Sequence, residues 1–214
     1  LADGPHSLTA TATDVGGTSP ASTPAVTFTV DTQAPAAPVI TAPTSGSVTN
    51  DNTPTISGTA QANATVAVFD GVTSLGTTVA TGGAWALTPA VLADGPHSLT
   101  ATATDVGGTS PASTPAVTFT VDTQAPAAPV ITAPTEGQTV TTATPTITGT
   151  AEANALVEVF DGVTSLGTTV ATGGAWSLTP AVLADGPHSL TAVATDAAGN
   201  SSAASTTINF TVSV

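Results

Sequence analysis

Short runs of alternating apolar and polar residues recur along the chain, separated by clusters of glycine, proline, threonine and aspartate. Seven such runs lie between residues 31 and 121, at the spacing of about ten residues that is typical of β-sandwiches. Successive strand residues point to opposite faces, so this period of two predicts strands with one buried face. No stripe with the helical period is present, and the abundant valine and threonine favour strands. The predicted strands are 36–42 (A), 54–60 (B), 64–70 (C), 74–80 (D), 84–89 (E), 96–105 (F) and 116–121 (G).

One sequence unit recurs along the chain. The residues LADGPHSLTA begin at Leu1, Leu92 and Leu183, which gives a repeat length of 91 residues. Residues 1–44 are identical to residues 92–135, and beyond them the copies differ only at scattered positions. The sequence therefore predicts a tandem array of one domain.

The predicted array contains two full repeats and part of a third. Residues 31–121 and 122–214 each contain strands A to G, whereas residues 1–30 contain only strands F and G of a preceding repeat. Two strands alone are marginally stable in water. We therefore expect residues 1–30 to be completed by another chain, to belong to a longer polymer, or to pack on the next repeat, and the sequence does not distinguish these three.

Differences between the two full repeats support the assignment of faces. Ala67 is replaced by Glu158 and Thr118 by Asn209, and both changes to a polar residue fall on positions predicted to face outward. The alternate positions, with their counterparts in the other copies, are predicted to form the core: Ile56, Val66, Val68, Trp85, Leu87, Leu99, Ala101, Val117, Phe119 and Val121.

These features predict an all-β fold of tandem Ig-like, seven-stranded β-sandwiches joined end to end as a rod. The sandwich is Ig-like in the broad sense, because the tryptophan lies in strand E and no cysteine pair is present. The repeats join at VDTQAPAAP, where Pro126 and Pro129 restrict the backbone. We therefore expect a stiff, extended joint rather than a flexible tether.

The charge balance limits the partners. The chain has no lysine or arginine and 14 acidic residues, for a formal net charge of −14. It cannot neutralise phosphates, which excludes nucleic acid and argues against anionic membrane surfaces. Since no carboxylate can pair with lysine or arginine, clustered carboxylates must share a proton, stay solvated or bind an external cation.

Other absences shape the expected context. Without cysteine, disulfides and thiolate chemistry are excluded. No stretch approaches 18 consecutive apolar residues, so we expect no membrane insertion. Methionine and a signal-peptide pattern are both absent, and we therefore expect these residues to come from within a longer protein.

Four motifs follow one another along the chain: DTQAPAAPVI, PTITGTAEANALVEVFDG, GAWSLTPAVLADGPHSLTAVATDAAGN and INFTV. Together they resemble the bacterial Ig-like repeats of giant surface adhesins, the biofilm-associated, type I-secreted proteins of Gram-negative bacteria. The resemblance covers the whole chain. It implies extracellular repeats on the bacterial cell surface that hold a ligand-binding tip away from the cell, with calcium bound at many domain junctions. The lack of basic residues departs from the family pattern.

The junction at residues 121/122 is predicted to gather oxygen ligands. Strand A should begin at the end of the sandwich that carries loops B–C and F–G, and loop E–F of the preceding repeat should face that end. Calcium takes six to eight oxygen ligands, and no soft ligand favours zinc or copper. We therefore expect Ca²⁺ here, the alternative being ordinary turn residues that need no metal. The candidate ligands are Asp94, Asp122, Glu152, Asp196 and Asn200.

The junction at residues 30/31 has a weaker set of candidate ligands. Gln61 stands where the other junction has Glu152, and Thr109 stands where it has Asn200. We therefore expect calcium to bind less tightly at this junction. The candidate ligands are Asp3, Asp31, Gln61 and Asp105.

Each copy has one histidine at the start of strand F: His6, His97 and His188. A catalytic role would combine His97 with Ser98, but adjacent strand residues point to opposite faces. Asp105 shares the face of His97 but lies roughly 26 Å along the strand. We therefore expect a structural role for His97, with Asp94 as a hydrogen-bond partner across the turn. No catalytic motif is present, and we do not expect an enzyme.

The predicted function is that of an extender, with neighbouring repeats as its partners. One alternative is a module that binds carbohydrate or protein, and another is a spacer within a secreted enzyme or a surface-layer protein. A binding module should carry aromatic residues in variable loops, but both tryptophans lie at core positions and the copies repeat almost verbatim. Repetition therefore favours a mechanical spacer of a bacterial surface adhesin or fibre.

Overall fold

The computed structural model describes all 214 residues and contains β-strands, turns and loops but no helix. It therefore has no helix long and apolar enough to cross a membrane. The all-β prediction is confirmed.

Residues 1–30 form two small antiparallel pairs. Strand β1 (Gly4–Leu8) pairs with β4 (Val26–Val30), and β2 (Thr13–Asp14) forms a hairpin with β3 (Gly17–Thr18). No further strand covers either pair in this part of the chain.

Residues 31–121 form two sheets, of order β10-β7-β5 and β6-β13-β11-β8-β9, with β12 paired to β11. The strands are β5 (Val39–Ala42), β6 (Ser47–Thr49), β7 (Ile56–Thr59), β8 (Thr65–Asp70), β9 (Thr73–Val79), β10 (Ala84–Leu87), β11 (Gly95–Asp105), β12 (Gly108–Thr109) and β13 (Val117–Val121).

Residues 122–214 repeat this arrangement, with sheets of order β14-β16-β19 and β15-β21-β20-β17-β18. The strands are β14 (Val130–Ala133), β15 (Thr139–Val140), β16 (Ile147–Thr150), β17 (Leu156–Asp161), β18 (Thr164–Val170), β19 (Ala175–Leu178), β20 (Gly186–Thr195) and β21 (Ile208–Val212).

All seven predicted strands are present in each full repeat, and the structure adds short ones. Strands β6 and β15 were not predicted, and they pair in parallel with β13 and β21. They contain only three and two residues, too few for an alternating pattern to be recognised. The predicted strand D corresponds to β9 and β18, which pair with strand C in a hairpin.

The core lies between the two sheets of each sandwich. In the two full repeats the predicted core residues are buried, except Leu87 and Val117 and their counterparts Leu178 and Ile208, which are partly exposed. In residues 1–30 the prediction is wrong for the counterparts Leu8, Ala10, Val26 and Phe28, which are exposed, because no second sheet lies over them. The core also contains Ala64, Ala80 and Ala103, which the pattern did not single out because alanine also occupies many exposed positions. Leu92 is buried as well, although it lies between the predicted strands E and F.

The buried tryptophan packs directly on a glycine of strand B. A Cβ atom on Gly149 would lie 2.3 Å from the Trp176 ring and 2.1 Å from the Val130 carbonyl oxygen. Real Cβ atoms do not approach that closely, so only glycine leaves room for this ring. Gly58 and Trp85 have the same arrangement in the first full repeat.

By the density of internal contacts, the chain divides into two compact units. The first comprises Leu1–Ser45, Pro54–Ala90 and His97–Thr118, and the second comprises Gly46–Thr53, Val91–Pro96 and Phe119–Val214. The junction at 30/31 lies within the first unit, and the junction at 121/122 lies within the second.

Candidate functional sites at the repeat junctions

The carboxylate of Asp94 holds the chain just after the last strand of the first full repeat. Thr123 donates to it from its backbone N–H at 3.1 Å and from its hydroxyl at 2.9 and 3.1 Å. Gln124 donates its side-chain N–H at 3.2 Å. The hydroxyl of Thr123 lowers the pKa of Asp94, with a smaller contribution from Gln124. Asp94 therefore acts as a clamp on the linker.

The same linker is held from the following repeat by Asn200. Its Nδ2 donates to the carbonyl oxygen of Asp122 at 2.8 Å and to Oδ2 of Asp196 at 2.9 Å. Its backbone N–H donates to Oδ1 of Asp196 at 2.9 Å. Burial raises the pKa of Asp196, but hydrogen bonds from Asn200 and from nearby backbone N–H groups outweigh it, so the pKa is lowered. These bonds tie loop F–G to the start of the repeat.

The remaining candidates at this junction make local contacts. The carboxylate of Asp122 accepts from the backbone N–H of Gln124 at 3.1 Å, closing a turn. Glu152 is exposed, and its carbonyl oxygen accepts from the N–H of Ala155 at 3.1 Å. The structure thus joins Asp122, Asn200 and Asp196, and it places Asp94 on Thr123 instead of on that group.

At the junction 30/31, an amide again satisfies a carboxylate. Gln61 donates Nε2–H to Oδ2 of Asp105 at 2.7 Å, and Asp105 also accepts from the N–H of Gly107 at 2.9 Å. Asp31, Gln61 and Asp105 line one open depression. The fourth candidate, Asp3, accepts from the hydroxyl of Thr32 at 2.8 and 3.1 Å, as Asp94 does from Thr123.

The candidate ligands have the right chemistry for calcium, but their side chains are not gathered around one point. All the donors are oxygens, which suits a hard cation. However, no three Asp, Glu or His side chains lie close enough together to hold a metal ion. The backbone carbonyl oxygen of Asp122 and the carboxylate of Asp196 both accept from the Asn200 amide nitrogen. Coordination there requires the Asn200 amide to turn and present its oxygen.

In the two full repeats, the histidine of strand F binds an aspartate at the end of strand C. Nδ1 of His97 lies 2.7 Å from Oδ2 of Asp70, and the N–H of Ser98 donates to Oδ1 of Asp70 at 2.8 Å. The prediction that Asp94 would be the partner of His97 is wrong. The pairing register places Asp70 opposite Leu99, beside the histidine, whereas Asp94 binds the linker.

His188 is held at both ring nitrogens. Nδ1 lies 2.7 Å from Asp161 and Nε2 lies 2.8 Å from the carbonyl oxygen of Ala184. Both partners only accept hydrogen bonds, so the doubly protonated ring satisfies this geometry. Burial lowers the pKa of His188, but the bonds to Asp161 and Ala184 outweigh it and raise the pKa. The Ser189 hydroxyl donates to Asn209 instead, so the pair lacks an aligned nucleophile.

The linker clamp was missed by the sequence analysis, although each copy carries it. Asp3 binds Thr32, Asp94 binds Thr123, and Asp185 accepts from the backbone N–H of Val214 at 3.1 Å. The available signal was the spacing of 29 residues between the LADG aspartate and the second residue after strand G.

A family model described as a bacterial Ig-like domain matches residues 41–123 and again residues 132–213. The chain belongs to this family. The search of curated proteins found no match.

Among solved structures, the fibronectin(III)-like modules of CbhA from Clostridium thermocellum are 18% identical, with a TM-score of 0.54 over 82% of this chain and 93% of that one. The BSP domain of a biofilm-associated protein is 20% identical, with a TM-score of 0.35 over 83% of this chain and 30% of that one. At this identity, the similarity to the CbhA modules supports the fold alone. Nothing about this chain is inferred from the BSP domain.

Proposed function

We propose that these bacterial Ig-like repeats are a non-enzymatic spacer that extends a bacterial cell-surface adhesin or fibre outside the cell. The observation that carries the proposal is the near-identity of the copies, together with the aspartate that holds the chain just after strand G in each copy. Adding identical units changes length without adding new recognition surfaces, which is what a spacer requires.

The junction hydrogen bonds suggest how such a spacer resists bending. At 121/122 the linker is held from one side by Asp94 through Thr123 and from the other by Asn200 through the Asp122 carbonyl. Pro126 follows at once and restricts the backbone further. A linker fixed on both sides has few backbone rotations left, so each repeat is expected to follow the direction of the one before it.

Calcium is proposed as an additional stiffener, bound at the second junction more tightly than at the first. The support is the all-oxygen donor set of Asp122, Glu152, Asp196 and Asn200 in a chain without lysine or arginine. At the first junction Gln61 and Thr109 stand in place of Glu152 and Asn200, which removes one carboxylate and one amide oxygen from the donor set. A bound ion at the second junction would supply positive charge to carboxylates that no protein cation neutralises.

Small-angle scattering of chains with two, four and six repeats tests the spacer. The maximum dimension should rise linearly, by roughly 30–45 Å for each repeat, because the longest strand has 11 residues and each extended residue rises about 3.3 Å. A dimension that levels off as repeats are added would contradict the proposal.

The same scattering series, with calcium and with chelator, separates the two sources of stiffness. A straight rod that bends only under chelator supports the metal. If Asp94→Ala bends the rod while chelator does not, the clamp is the source and the calcium proposal fails. Thr120→Ala, on the last strand but away from both sets of bonds, is the matched control.

A further inference from the structure

The histidine of strand F is bonded to the turn that carries the linker clamp. In the second full repeat, Nε2 of His188 lies 2.8 Å from the carbonyl oxygen of Ala184. The next residue is Asp185, whose carboxylate accepts from the backbone N–H of Val214 at 3.1 Å. A single hydrogen bond therefore connects the histidine ring to the peptide group that precedes the clamp aspartate.

The same connection is present in residues 1–30. Nε2 of His6 lies 2.6 Å from the carbonyl oxygen of Ala2. Asp3 follows Ala2 and accepts from the hydroxyl of Thr32 at 2.8 Å. In two separate copies, the histidine thus bonds to the residue just before the clamp aspartate.

The turn between strands E and F is fixed on both sides of this peptide group. Leu183 is buried, and Gly186 begins the paired strand β20. Ala184 and Asp185 lie exposed between these two fixed residues. Because a peptide group is planar, the bond that holds the Ala184 carbonyl also holds the backbone nitrogen of Asp185. The bond from His188 therefore sets the orientation from which the Asp185 side chain reaches the linker.

One carboxylate contacts the His188 ring. Strand C contributes Asp161, whose Oδ2 lies 2.7 Å from Nδ1, and Asp161 is the only acidic residue lining the depression that contains His188. Strand G contributes Phe210, with 5.3 Å between the ring centroids. Strand D contributes the uncharged residues Thr164, Ser165 and Leu166. Asp161 is therefore the charged group that acts directly on the ring.

The protonation state of His188 decides whether both of its hydrogen bonds form. The doubly protonated ring donates from both nitrogens. The neutral ring has one N–H, which stays at Nδ1 because the Asp161 carboxylate is a stronger acceptor than a carbonyl. Nε2 then presents a lone pair to the Ala184 oxygen, and that bond is lost. Burial lowers the pKa of His188, but the bonds to Asp161 and Ala184 outweigh it, so the loss occurs above the ordinary value of 6.5.

We infer that His188 is a positioning residue that makes the linker clamp sensitive to pH. The protonated ring holds the peptide group before Asp185 and so keeps the carboxylate on the chain after strand G, whereas the neutral ring releases it. His97 has the same role for Asp94 in the first full repeat, where Asp70 lies 2.7 Å from the ring.

The acidic limit of the clamp is set by the aspartate itself. The hydroxyl of Thr123 lowers the pKa of Asp94 from 3.8, so the carboxylate is lost only below that value. The clamp is therefore tightest between the titration of the aspartate and that of the histidine, and it loosens as the pH rises above neutral. This control by pH rests on the proposed spacer function and adds regulation to it.

NMR titration of the full chain, from mildly acidic to mildly alkaline pH, tests this control. The ring C–H signals of His188 and His97 report protonation, and the protection factors of the Val214 and Thr123 amides report the clamp. Protection should fall by up to about tenfold, because exposed charged bonds contribute little. The midpoint at Val214 should equal that of His188, and the midpoint at Thr123 should equal that of His97. Midpoints that do not coincide would overturn the inference.

Two histidine variants use each repeat as the control for the other. His188→Gln should abolish the pH dependence at Val214 and leave that at Thr123 unchanged. His97→Gln should do the reverse. If the pH dependence at Val214 persists in His188→Gln, another group is responsible and the inference is wrong.

Asp161→Asn provides a readout that a purely structural histidine would not affect. Loss of the carboxylate removes the stabilisation of the charged ring, while the asparagine oxygen still accepts from the N–H of Ser189. The midpoints of His188 and Val214 should therefore move together to lower pH. A shift of the ring midpoint alone would show that the histidine does not act on the clamp. The scattering series measures the length of the rod and not its response to pH, so the spacer and this control are judged separately.

Discussion

Residues 1–30 and 92–121 have the same sequence and the same serine-to-backbone bonds. Their strands lie at equivalent positions, but β11 is continuous where β1 and β2 are separated by residues 9–12. Yet Leu8 is half exposed while Leu99 is fully buried. Polar contacts made within the segment, such as that of Ser22 with Ala10, therefore survive without a core. Burial, and every contact that depends on strands A to E, is supplied from elsewhere. The two regions are a natural control for each other, because one substitution can be compared in two environments.

The largest difference is expected for leucine truncation. Leu99→Ala leaves a cavity in a closed core and should lower the free energy of unfolding of that repeat by about 2–5 kcal/mol. Leu8→Ala removes a side chain that is already half in water and should change stability by no more than about 0.5 kcal/mol. Amide exchange in β8 and β11 reports the first full repeat specifically. Equal effects of the two substitutions would contradict the burial difference.

A smaller difference is expected for the serine that accepts a backbone N–H. Ser113 is 5% exposed and accepts from Ala101, so Ser113→Ala strands a buried donor and should cost about 1–3 kcal/mol. At Ser22→Ala, water can replace the hydroxyl, and the change should stay within about 0.5 kcal/mol. Urea unfolding of both variants measures the difference. A neutral Ser113→Ala would mean that the Ala101 N–H finds another partner.

The pair of His188 and Asp161 makes the stability of the second full repeat depend on pH. The pKa of His188 is raised in the folded state, so its stabilisation is fully present below its unfolded value near 6.5 and is lost as the pH rises through the folded pKa. The loss is about 1.4 kcal/mol for each unit by which the pKa is raised. Thermal unfolding across neutral pH should show this slope for the wild type, and His188→Gln should flatten it.

The smallest effect is expected at the clamp, where a threonine hydroxyl donates to the aspartate in both regions. Asp94→Asn should accelerate amide exchange at Thr123, whose backbone N–H also donates to Asp94, by about tenfold or less, because exposed charged bonds contribute little. Since the pKa of Asp94 is lowered by the Thr123 hydroxyl, its contribution should persist above its unfolded value near 3.8 and disappear as the pH falls through the folded pKa. A carboxyl titration by NMR measures this shift. Exchange at Thr123 that is unchanged in Asp94→Asn would exclude the clamp.

Much of the fold followed from the pattern of the sequence, and the polar sites followed only in part. The period of two identified the strands and nearly all of the core, because each strand has one face in water and one in the interior. It did not identify β6 and β15, whose place depends on pairing with a strand more than 60 residues away. Nor did it find the partner of His97, because Asp70 lies 27 residues earlier and reaches the histidine only through the register of β8 and β11.

The sequence alone determined the repeat, the strand faces and the excess of negative charge, because these are properties of residue order and composition. Only the tertiary structure decided which polar groups form hydrogen bonds with one another. Asn200 reaches Asp122 across 78 positions, and its amide nitrogen points to the oxygens predicted to bind a cation. Likewise, residues 1–30 and 92–121 differ only in whether strands A to E lie against them. A side chain is buried only when a second surface packs against it, and the sequence of one segment specifies only its own surface.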